Sequence, residues 1–276
     1  TVASRRAKTM LLVLLVAAIS CLLLVPRVDA VVFANLTEPW VDAPLYNRKK
    51  GKCAIDALMR SRILRGYIIL QDGKIVAEGY PERSNKNGIF PAWSVTKSWS
   101  SMLIGKLIEL EMVRLNETLG DIFDQEEDWV NVTNATMKQT IILEEVLTMT
   151  SGLTPGSEEE EEEELDEFPD EQNLQEILNY GTYEEDVRGT FLYMPKQHIL
   201  ASIILRRSGF TSRQFVHEYG IFTKLGIEES DYTWETFGDD KLEGSAYGLW
   251  INPRAMAKLG QLYLQKGFVA EGDQLI

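Results

Sequence analysis

The segment Phe90–Leu110, FPAWSVTKSWSSMLIGKLIEL, restricts the possible folds of this chain more than any other. Apolar residues recur in it at helical spacing with small residues between them, which predicts a helix packed against other elements on several sides. The apolar positions are Val95, Met102, Leu103, Leu107 and Leu110, and the small ones are Ser98, Ser101 and Gly105. Ser94 and Lys97 stand at the start of this helix, where burial would make such a pair costly without a purpose.

A serine and a lysine three residues apart can perform acyl chemistry together. On a helix, residues i and i+3 share a face with Cβ atoms about 5–6 Å apart, so the Lys97 amine can reach the Ser94 hydroxyl. Burial disfavours the charged ammonium and lowers its pKa, which lets a neutral amine accept the serine proton. A backbone N–H at the helix start can stabilise an oxyanion. Ser-x-x-Lys alone is a common chance match, so the surrounding sequence has to support it.

The clearest local pattern is a β-hairpin over Gly66–Tyr80, with Asp72-Gly73 as its two-residue turn. Helical patterns cover Cys53–Arg65, Leu143–Met149, Leu174–Leu178, Ile199–Arg206 and a last helix near the end of the chain. In that last helix Asn252 is the predicted N-cap, Pro253 the first helical residue and Gly267 the C′ residue. Helices around an antiparallel sheet indicate an α+β fold.

Several function classes are disfavoured by the sequence. The net charge of −14 argues against nucleic acid as a partner. The chain has two histidines, His198 and His217, and no HExxH, so a histidine-rich metal site is not expected. It has no phosphate-binding glycine loop and no GxSxG nucleophile elbow. Pairing of His198 with a serine stays open, although a structural role is the simpler interpretation.

The amino terminus has the pattern of a targeting segment. Basic residues precede the apolar stretch Met10–Val25, and Val28–Ala30 offers small residues at a cleavage site, which predicts a signal peptide over residues 1–30. The apolar stretch is shorter than the roughly 20 residues of a membrane span. We therefore expect secretion or residence in the secretory-pathway lumen. An uncleaved signal anchor, which would make this a single-pass membrane protein, is the alternative.

Further features agree with a secretory glycoprotein. Four of the ten asparagines stand in Asn-x-Thr sequons, namely Asn35, Asn116, Asn131 and Asn134. Cys53 would be the single cysteine after leader removal, which excludes an intrachain disulfide. An acidic insertion at about 156–171, which contains the run Glu158–Glu164, is interpreted as a solvated surface segment.

Five segments, in this order along the chain, carry a resemblance to a known family. They are FPAWSVTKSWSSMLIGKLIEL, LNETLGDIF, IILEEVLTMTSGL, GTFLYMPKQHILASIILRRSG and YGLWINPRAMAKLGQLYLQKG. They resemble the serine β-lactamase-related family, which includes class C β-lactamases, penicillin-binding DD-peptidases, esterases and aminohexanoate-oligomer hydrolases. The resemblance implies a β-lactamase/transpeptidase-like fold, in which an antiparallel sheet is flanked by a mostly helical region.

The resemblance also implies roles for individual residues. Ser94 matches the acylated nucleophile, Lys97 its proton-transfer partner, and Tyr193 the tyrosine of the second motif, which assists proton transfer in relatives. The alternative for Tyr193 is a buried aromatic that caps the next helix. The implied substrate is a small-molecule or peptide-like ester or amide, with no metal or organic cofactor. The oligomeric state is not readable from the sequence.

Two departures from the family pattern affect the expected activity. Pro195 stands where the second motif usually has asparagine, so the side-chain amide is missing and a β-lactam substrate is less expected. Neither Lys-Thr-Gly nor His-x-Gly occurs after Tyr193, although the family draws its second oxyanion donor from that strand. We therefore expect a domain over residues 31–276 that is a fragment, lacking its C-terminal strands.

Two functions follow from these observations. The leading interpretation is a serine hydrolase that acts on an ester or amide through an acyl-enzyme. The alternative is a catalytically impaired secreted homologue that serves as a binding or structural glycoprotein, which Pro195, the acidic insertion and the missing third motif would favour.

Overall fold

The computed structural model describes residues 34–42, 55, 64–80, 85–154, 173–179, 181–193, 198–238 and 241–276. These residues fall within one unit of the chain, residues 33–276. The predicted signal peptide, the acidic insertion, most of the predicted helix Cys53–Arg65, and Pro195 lie outside the described residues. Within them, no helix is both long and apolar enough to cross a membrane.

The predicted hairpin is confirmed. Strand β1 (Tyr67–Gln71) pairs antiparallel with β2 (Lys74–Gly79), and the turn between them is Asp72-Gly73. Both turn residues have positive φ, 52° and 69°, as a type I′-like hairpin turn requires. Glycine suits the second of these positions because it adopts positive φ without steric cost.

The elements that follow in the described residues are helices and short strands, with most helices before residue 230 and most strands after it. In chain order they are β3 (Phe90–Pro91), α1 (Thr96–Glu109), α2 (Leu119–Ile122), α3 (Ala135–Lys138), α4 (Leu143–Thr148), β4 (Leu153–Thr154), α5 (Leu174–Asn179), β5 (Thr182–Tyr183), α6 (Ile199–Ser208), α7 (Ser212–Glu218), α8 (Ile221–Lys224), β6 (Tyr232–Trp234), β7 (Thr236–Phe237), β8 (Leu242–Glu243), β9 (Leu249–Ile251), α9 (Pro253–Leu264), β10 (Phe268–Ala270) and β11 (Asp273–Gln274). Four 3₁₀ turns, at Trp93–Val95, Glu126–Trp129, Glu185–Val187 and Glu229–Asp231, connect some of them.

The sheets are small and antiparallel. The three-stranded sheet has the order β3-β9-β6, and the other pairs in the described residues are β1-β2, β4-β5, β7-β8 and β10-β11. Helices mixed with antiparallel strands confirm the predicted α+β class.

Helix α1 lies in the core, as its sequence predicts. Its side chains Trp99, Leu103, Ile104 and Leu107 are fully buried, and it packs against α6. Trp99 contacts the Phe222 ring edge-on, with 5.2 Å between ring centroids. Complete burial of such a side chain contributes about 1.5–3 kcal/mol. The helix is therefore held firmly in the core, and the position of Lys97 in its first turn is well defined.

The segment Phe90–Leu110 is not one continuous helix. Phe90 and Pro91 form strand β3, a 3₁₀ turn covers Trp93–Val95, and α1 begins at Thr96. Pairing of Phe90 with Ile251 in β9 explains the difference, because a tertiary strand contact overrides the local helical pattern. Ser94 therefore stands on the 3₁₀ turn just before the α-helix.

The cap prediction for α9 is correct at its start and off by one residue at its end. Asn252 accepts a hydrogen bond from the Ala255 N–H at 2.8 Å, and Pro253 is the first helical residue. The helix ends at Leu264, so Lys266 (φ 56°) is the C′ residue and Gly267 (φ 86°) follows it. The Lys266 and Gly267 N–H groups bond the carbonyls of Tyr263 and Leu262, which is the Schellman pattern.

Candidate active site

Hydrogen bonds on both sides fix the turn that carries Ser94. The residues just before it pair with β9, and the Ala92 N–H bonds the Leu249 carbonyl at 2.8 Å. Just after it, the buried Ser100 hydroxyl donates to the Ser245 carbonyl at 2.9 Å. The segment 245–249 therefore runs along the start of α1, and the exposed Ser94 is the middle residue of this anchored turn.

Lys97 lies beside Ser94, as the spacing predicts. Its Nζ is 3.2 Å from the Ser94 Oγ and donates a hydrogen bond to the Ala246 carbonyl at 3.0 Å. Burial lowers the pKa of Lys97, and the neighbouring Tyr193 opposes this shift only in part. A lowered pKa increases the share of neutral amine, which is the form that can accept a proton.

Tyr193 reaches the same hydroxyl from a distant part of the sequence. Its OH donates a hydrogen bond to the Ser94 Oγ at 2.6 Å across 99 residues of sequence. The Lys97 Nζ lies 5.1 Å from the centroid of its ring. Tyr193 is 48% exposed, so it does not have the buried capping role that was the sequence alternative. The structure thus brings Ser94, Lys97 and Tyr193 together.

Arg188 fastens the segment that ends in Tyr193. Its guanidinium donates two hydrogen bonds of 2.7 Å to Glu145 of α4 and a third, of 2.9 Å, to the Thr140 carbonyl. Burial opposes ionisation of Glu145, but the hydrogen bonds from Arg188 and from the Ile142 N–H, with the Arg188 charge, lower its pKa. Such a bidentate pair fixes both position and orientation.

Two backbone hydrogen bonds extend this attachment towards Tyr193. The Gly189 N–H bonds the Thr150 carbonyl at 2.8 Å, and the Leu192 N–H bonds the Met149 carbonyl at 3.0 Å. Met149 ends α4 in the left-handed conformation, with φ 56°. The chain from Arg188 to Leu192 therefore follows the end of α4, and Tyr193 is the next residue.

Several of these contacts have no local signal in the sequence. The Ala246 carbonyl is a backbone group that any residue type supplies, so no side-chain pattern could reveal it. The Arg188–Glu145 pair spans 43 residues. Glu145 had one local signal. It stands three residues after Ile142 and accepts a hydrogen bond from the Ile142 N–H at 2.9 Å, as the acidic residue of a capping box does.

The surface beside the site is apolar. Within the described residues, ten large apolar side chains are exposed. Four of them belong to Tyr193 or to residues within two positions of Ser94 or Tyr193. They are Trp93, Val95, Phe191 and Tyr193, with exposed fractions of 61%, 43%, 64% and 48%. Trp93 also has a φ of 48°, in the left-handed region that bulky residues rarely adopt.

The other sequence candidates lie elsewhere. His198 is buried, and its ring lies 4.8 Å from the Tyr247 ring and 5.4 Å from the Phe237 ring, between centroids. His217, on α7, pairs with Glu229, which lies in the 3₁₀ turn before β6. In the described part of the chain, no three carboxylate, imidazole or thiol groups converge as metal ligands. The sequon asparagines Asn35, Asn116, Asn131 and Asn134 are all exposed.

Several solved structures share this fold. A protein assigned as a 6-aminohexanoate-dimer hydrolase from Bacillus anthracis has a TM-score of 0.59 at 19% identity, covering 86% of this chain and 65% of its own. The simvastatin synthase LovD from Aspergillus terreus has 0.58 at 16%, covering 79% and 69%. An octameric penicillin-binding protein homologue from Pyrococcus abyssi has 0.55 at 18%, covering 81% and 58%.

These identities are low enough that the likeness concerns the fold alone. This chain spans 65% of the length of the Bacillus anthracis protein and 58% of the Pyrococcus abyssi protein. No curated protein sequence matches the chain significantly. The family model described as Beta-lactamase, however, matches residues 54–275. Together with the fold, this match places the chain in the Beta-lactamase family.

Proposed function

We propose that this protein is a serine hydrolase that cleaves an ester or amide through an acyl-enzyme on Ser94. One observation carries the proposal: the Ser94 Oγ lies within hydrogen-bond distance of both the Lys97 Nζ, at 3.2 Å, and the Tyr193 OH, at 2.6 Å. Covalent catalysis needs a nucleophile in contact with a base, and a third group that fixes the position of the base. The Ala246 carbonyl supplies that third contact, to Lys97.

Acylation would begin with attack of the Ser94 Oγ on the substrate carbonyl carbon. The oxygen–carbon bond forms while the hydroxyl proton passes to Lys97, whose lowered pKa favours the neutral amine. The intermediate then collapses as the bond from carbon to the leaving oxygen or nitrogen breaks. Tyr193 gives that leaving atom a proton and regains one from Lys97, so charge and protons balance.

Deacylation would reverse these roles with water. A water oxygen attacks the acyl carbon and passes a proton to the Lys97–Tyr193 pair, and the bond from carbon to the Ser94 Oγ breaks. The pair returns the proton to Ser94, and the acid product leaves. The Ser94 N–H, near the start of the 3₁₀ turn, is the candidate donor to the oxyanion in both halves, because early N–H groups of a helical turn lack acceptors inside it.

Secretion and glycosylation remain part of the proposal. The four sequon asparagines are exposed, which supports glycan attachment without rearrangement of the core. The family match and the shared fold support a hydrolase.

Covalent labelling tests the proposed function. A fluorophosphonate probe should add one adduct to the full protein, at Ser94, and release of p-nitrophenol from p-nitrophenyl acetate should depend on the same residue. A protein that takes no adduct and hydrolyses no ester would fit a binding glycoprotein and would refute the proposal.

A further inference from the structure

Trp93 combines a strained backbone conformation with an exposed side chain. Its φ of 48° lies in the left-handed region, which costs a bulky side chain conformational energy and suits glycine. Its side chain is 61% exposed, so packing in the core does not compensate. Strained residues of this kind concentrate at sites where a ligand uses them, and Trp93 directly precedes the proposed nucleophile.

Phe191 presents a second exposed ring beside Tyr193. Within the run 189–193, Leu192 is half-buried and the other four residues, Phe191 and Tyr193 among them, are exposed. Phe191 is therefore an exposed ring two residues before the tyrosine whose hydroxyl reaches Ser94.

Both rings are close neighbours in sequence of residues that carry the reacting groups. Trp93 is covalently next to Ser94, and Phe191 is two residues from Tyr193, whose OH is 2.6 Å from the Ser94 Oγ. A substrate carbonyl bonded to Ser94 would place its substituents beside these residues. Exposed apolar patches of this kind mark binding surfaces, and aromatic rings bind apolar groups with little loss of conformational freedom.

We propose that Trp93 and Phe191 form an apolar subsite that selects esters or amides with a long aliphatic or aromatic substituent. This inference rests on the proposed function and names its substrate class. Water would be displaced from the two rings when such a substituent binds. Because each buried methylene contributes up to about a fourfold factor, selectivity should grow steadily with chain length.

Two ester series measure this selectivity on the full protein. One series varies the acyl group, from p-nitrophenyl acetate through butyrate and hexanoate to octanoate. The other varies the alcohol, using the acetates of ethanol, butanol and hexanol with acid release followed by titration. The wild type should gain about twofold to fourfold in kcat/KM per methylene in at least one series. The series that responds shows whether the subsite holds the acyl or the alcohol part.

Variants then assign the effect to the two rings. Trp93→Gly, which suits the positive φ, and Phe191→Ser should each lower the long-to-short ratio of kcat/KM at least fivefold. Trp93→Phe, which retains an aromatic ring, should restore most of it. Val130→Ser is the matched control, since Val130 is similarly exposed (54%) at the end of the turn Glu126–Trp129, and should leave the ratio unchanged.

The possible failures can be told apart. A wild type that hydrolyses no ester and takes no fluorophosphonate at Ser94 refutes the proposed function, and the subsite with it. A wild type that hydrolyses esters with a flat chain-length profile, or whose profile survives both substitutions, refutes the subsite alone. If the substitutions leave the profile intact but weaken co-sedimentation with phosphatidylcholine vesicles, the rings contact membrane and the subsite proposal is wrong.

Discussion

Arg188 and Glu145 form a two-pronged ion pair, with both hydrogen bonds at 2.7 Å, five residues before the tyrosine that reaches Ser94. Their side chains are 23% and 19% exposed, so water competes weakly for the charges. This pair connects α4 to the chain that carries Tyr193. Its loss should therefore affect the placement of the Tyr193 hydroxyl as well as the stability of the fold.

Arg188→Met should lower kcat about tenfold or more, with a small change in KM, because a displaced Tyr193 can no longer protonate the leaving group efficiently. It should also lower the free energy of unfolding by about 2 kcal/mol, since hydrogen bonds to a charged, partly buried group are lost. Steady-state kinetics and denaturant unfolding measure the two effects. Arg188→Lys keeps the positive charge but cannot make both hydrogen bonds of the guanidinium. Its kcat and its free energy of unfolding should lie between those of the wild type and Arg188→Met.

Arg213→Met is the control for that experiment. Arg213 pairs with Glu229, but both side chains are about half exposed, and such pairs contribute roughly 0–1 kcal/mol. This variant should retain wild-type kcat. Equal loss of kcat in both variants would mean that Arg188 has no special role in positioning Tyr193.

The rate should depend on pH through Lys97. Below the pKa of Lys97 the amine is protonated and cannot accept the Ser94 proton, so kcat/KM should fall as pH falls. Because burial lowers this pKa, the rise in rate should be centred below 10.5, the usual lysine value. A pH profile of Ser94 acylation measures the midpoint, and a midpoint at or above 10.5 would contradict the assigned role.

Lys97→Arg provides the matched control for the pH profile. Arginine stays protonated in proteins and keeps the positive charge, but it cannot act as a base. Above the midpoint of the wild-type profile, acylation should fall by about 10²–10⁴-fold, and the pH-dependent limb should disappear. Retention of the limb would assign it to another group.

Trp93→Gly should stabilise the fold even though it removes a large side chain. Relief of the left-handed strain returns about 1–2 kcal/mol, and the greater freedom of glycine in the unfolded chain offsets about half of it. We expect a net gain of about 0.5–1 kcal/mol in the free energy of unfolding. Val130→Gly, at an ordinary φ of −63°, should destabilise instead. A loss of stability in Trp93→Gly would show that its ring packs in the fold.

Glycosylation predicts a change in mass that depends on the sequons. Expressed in a eukaryotic secretory pathway, the protein should migrate faster after peptide N-glycosidase treatment. Replacement of Asn35, Asn116, Asn131 and Asn134 by glutamine, one at a time, should remove the glycans individually. A protein whose migration does not change on this treatment would contradict the glycosylation proposal.

Local patterns predicted what local interactions determine. Asp72-Gly73 specified its hairpin because the turn conformation depends on those two residues, and Asn252 capped α9 because its acceptor lies three residues away. The spacing of Ser94 and Lys97 likewise predicted their contact.

Long-range contacts could not be predicted in the same way. The Ala246 carbonyl meets Lys97 across 149 residues, and Arg188 meets Glu145 across 43, so neither leaves a local trace. The break before α1 has the same origin, since Phe90 pairs with Ile251 of a distant strand. Tyr193 was placed by family resemblance, because the distance to Ser94 depends on the whole fold.

Mass spectrometry of the fluorophosphonate-treated full protein tests the central claim most directly. The wild type should gain one adduct, localised to Ser94, and Ser94→Ala should gain none. Ser98→Ala, which removes an exposed serine four residues later on α1, is the matched control and should label like the wild type. Equal labelling of the wild type and Ser94→Ala, or an adduct on another residue, would contradict the assignment of Ser94 as the nucleophile.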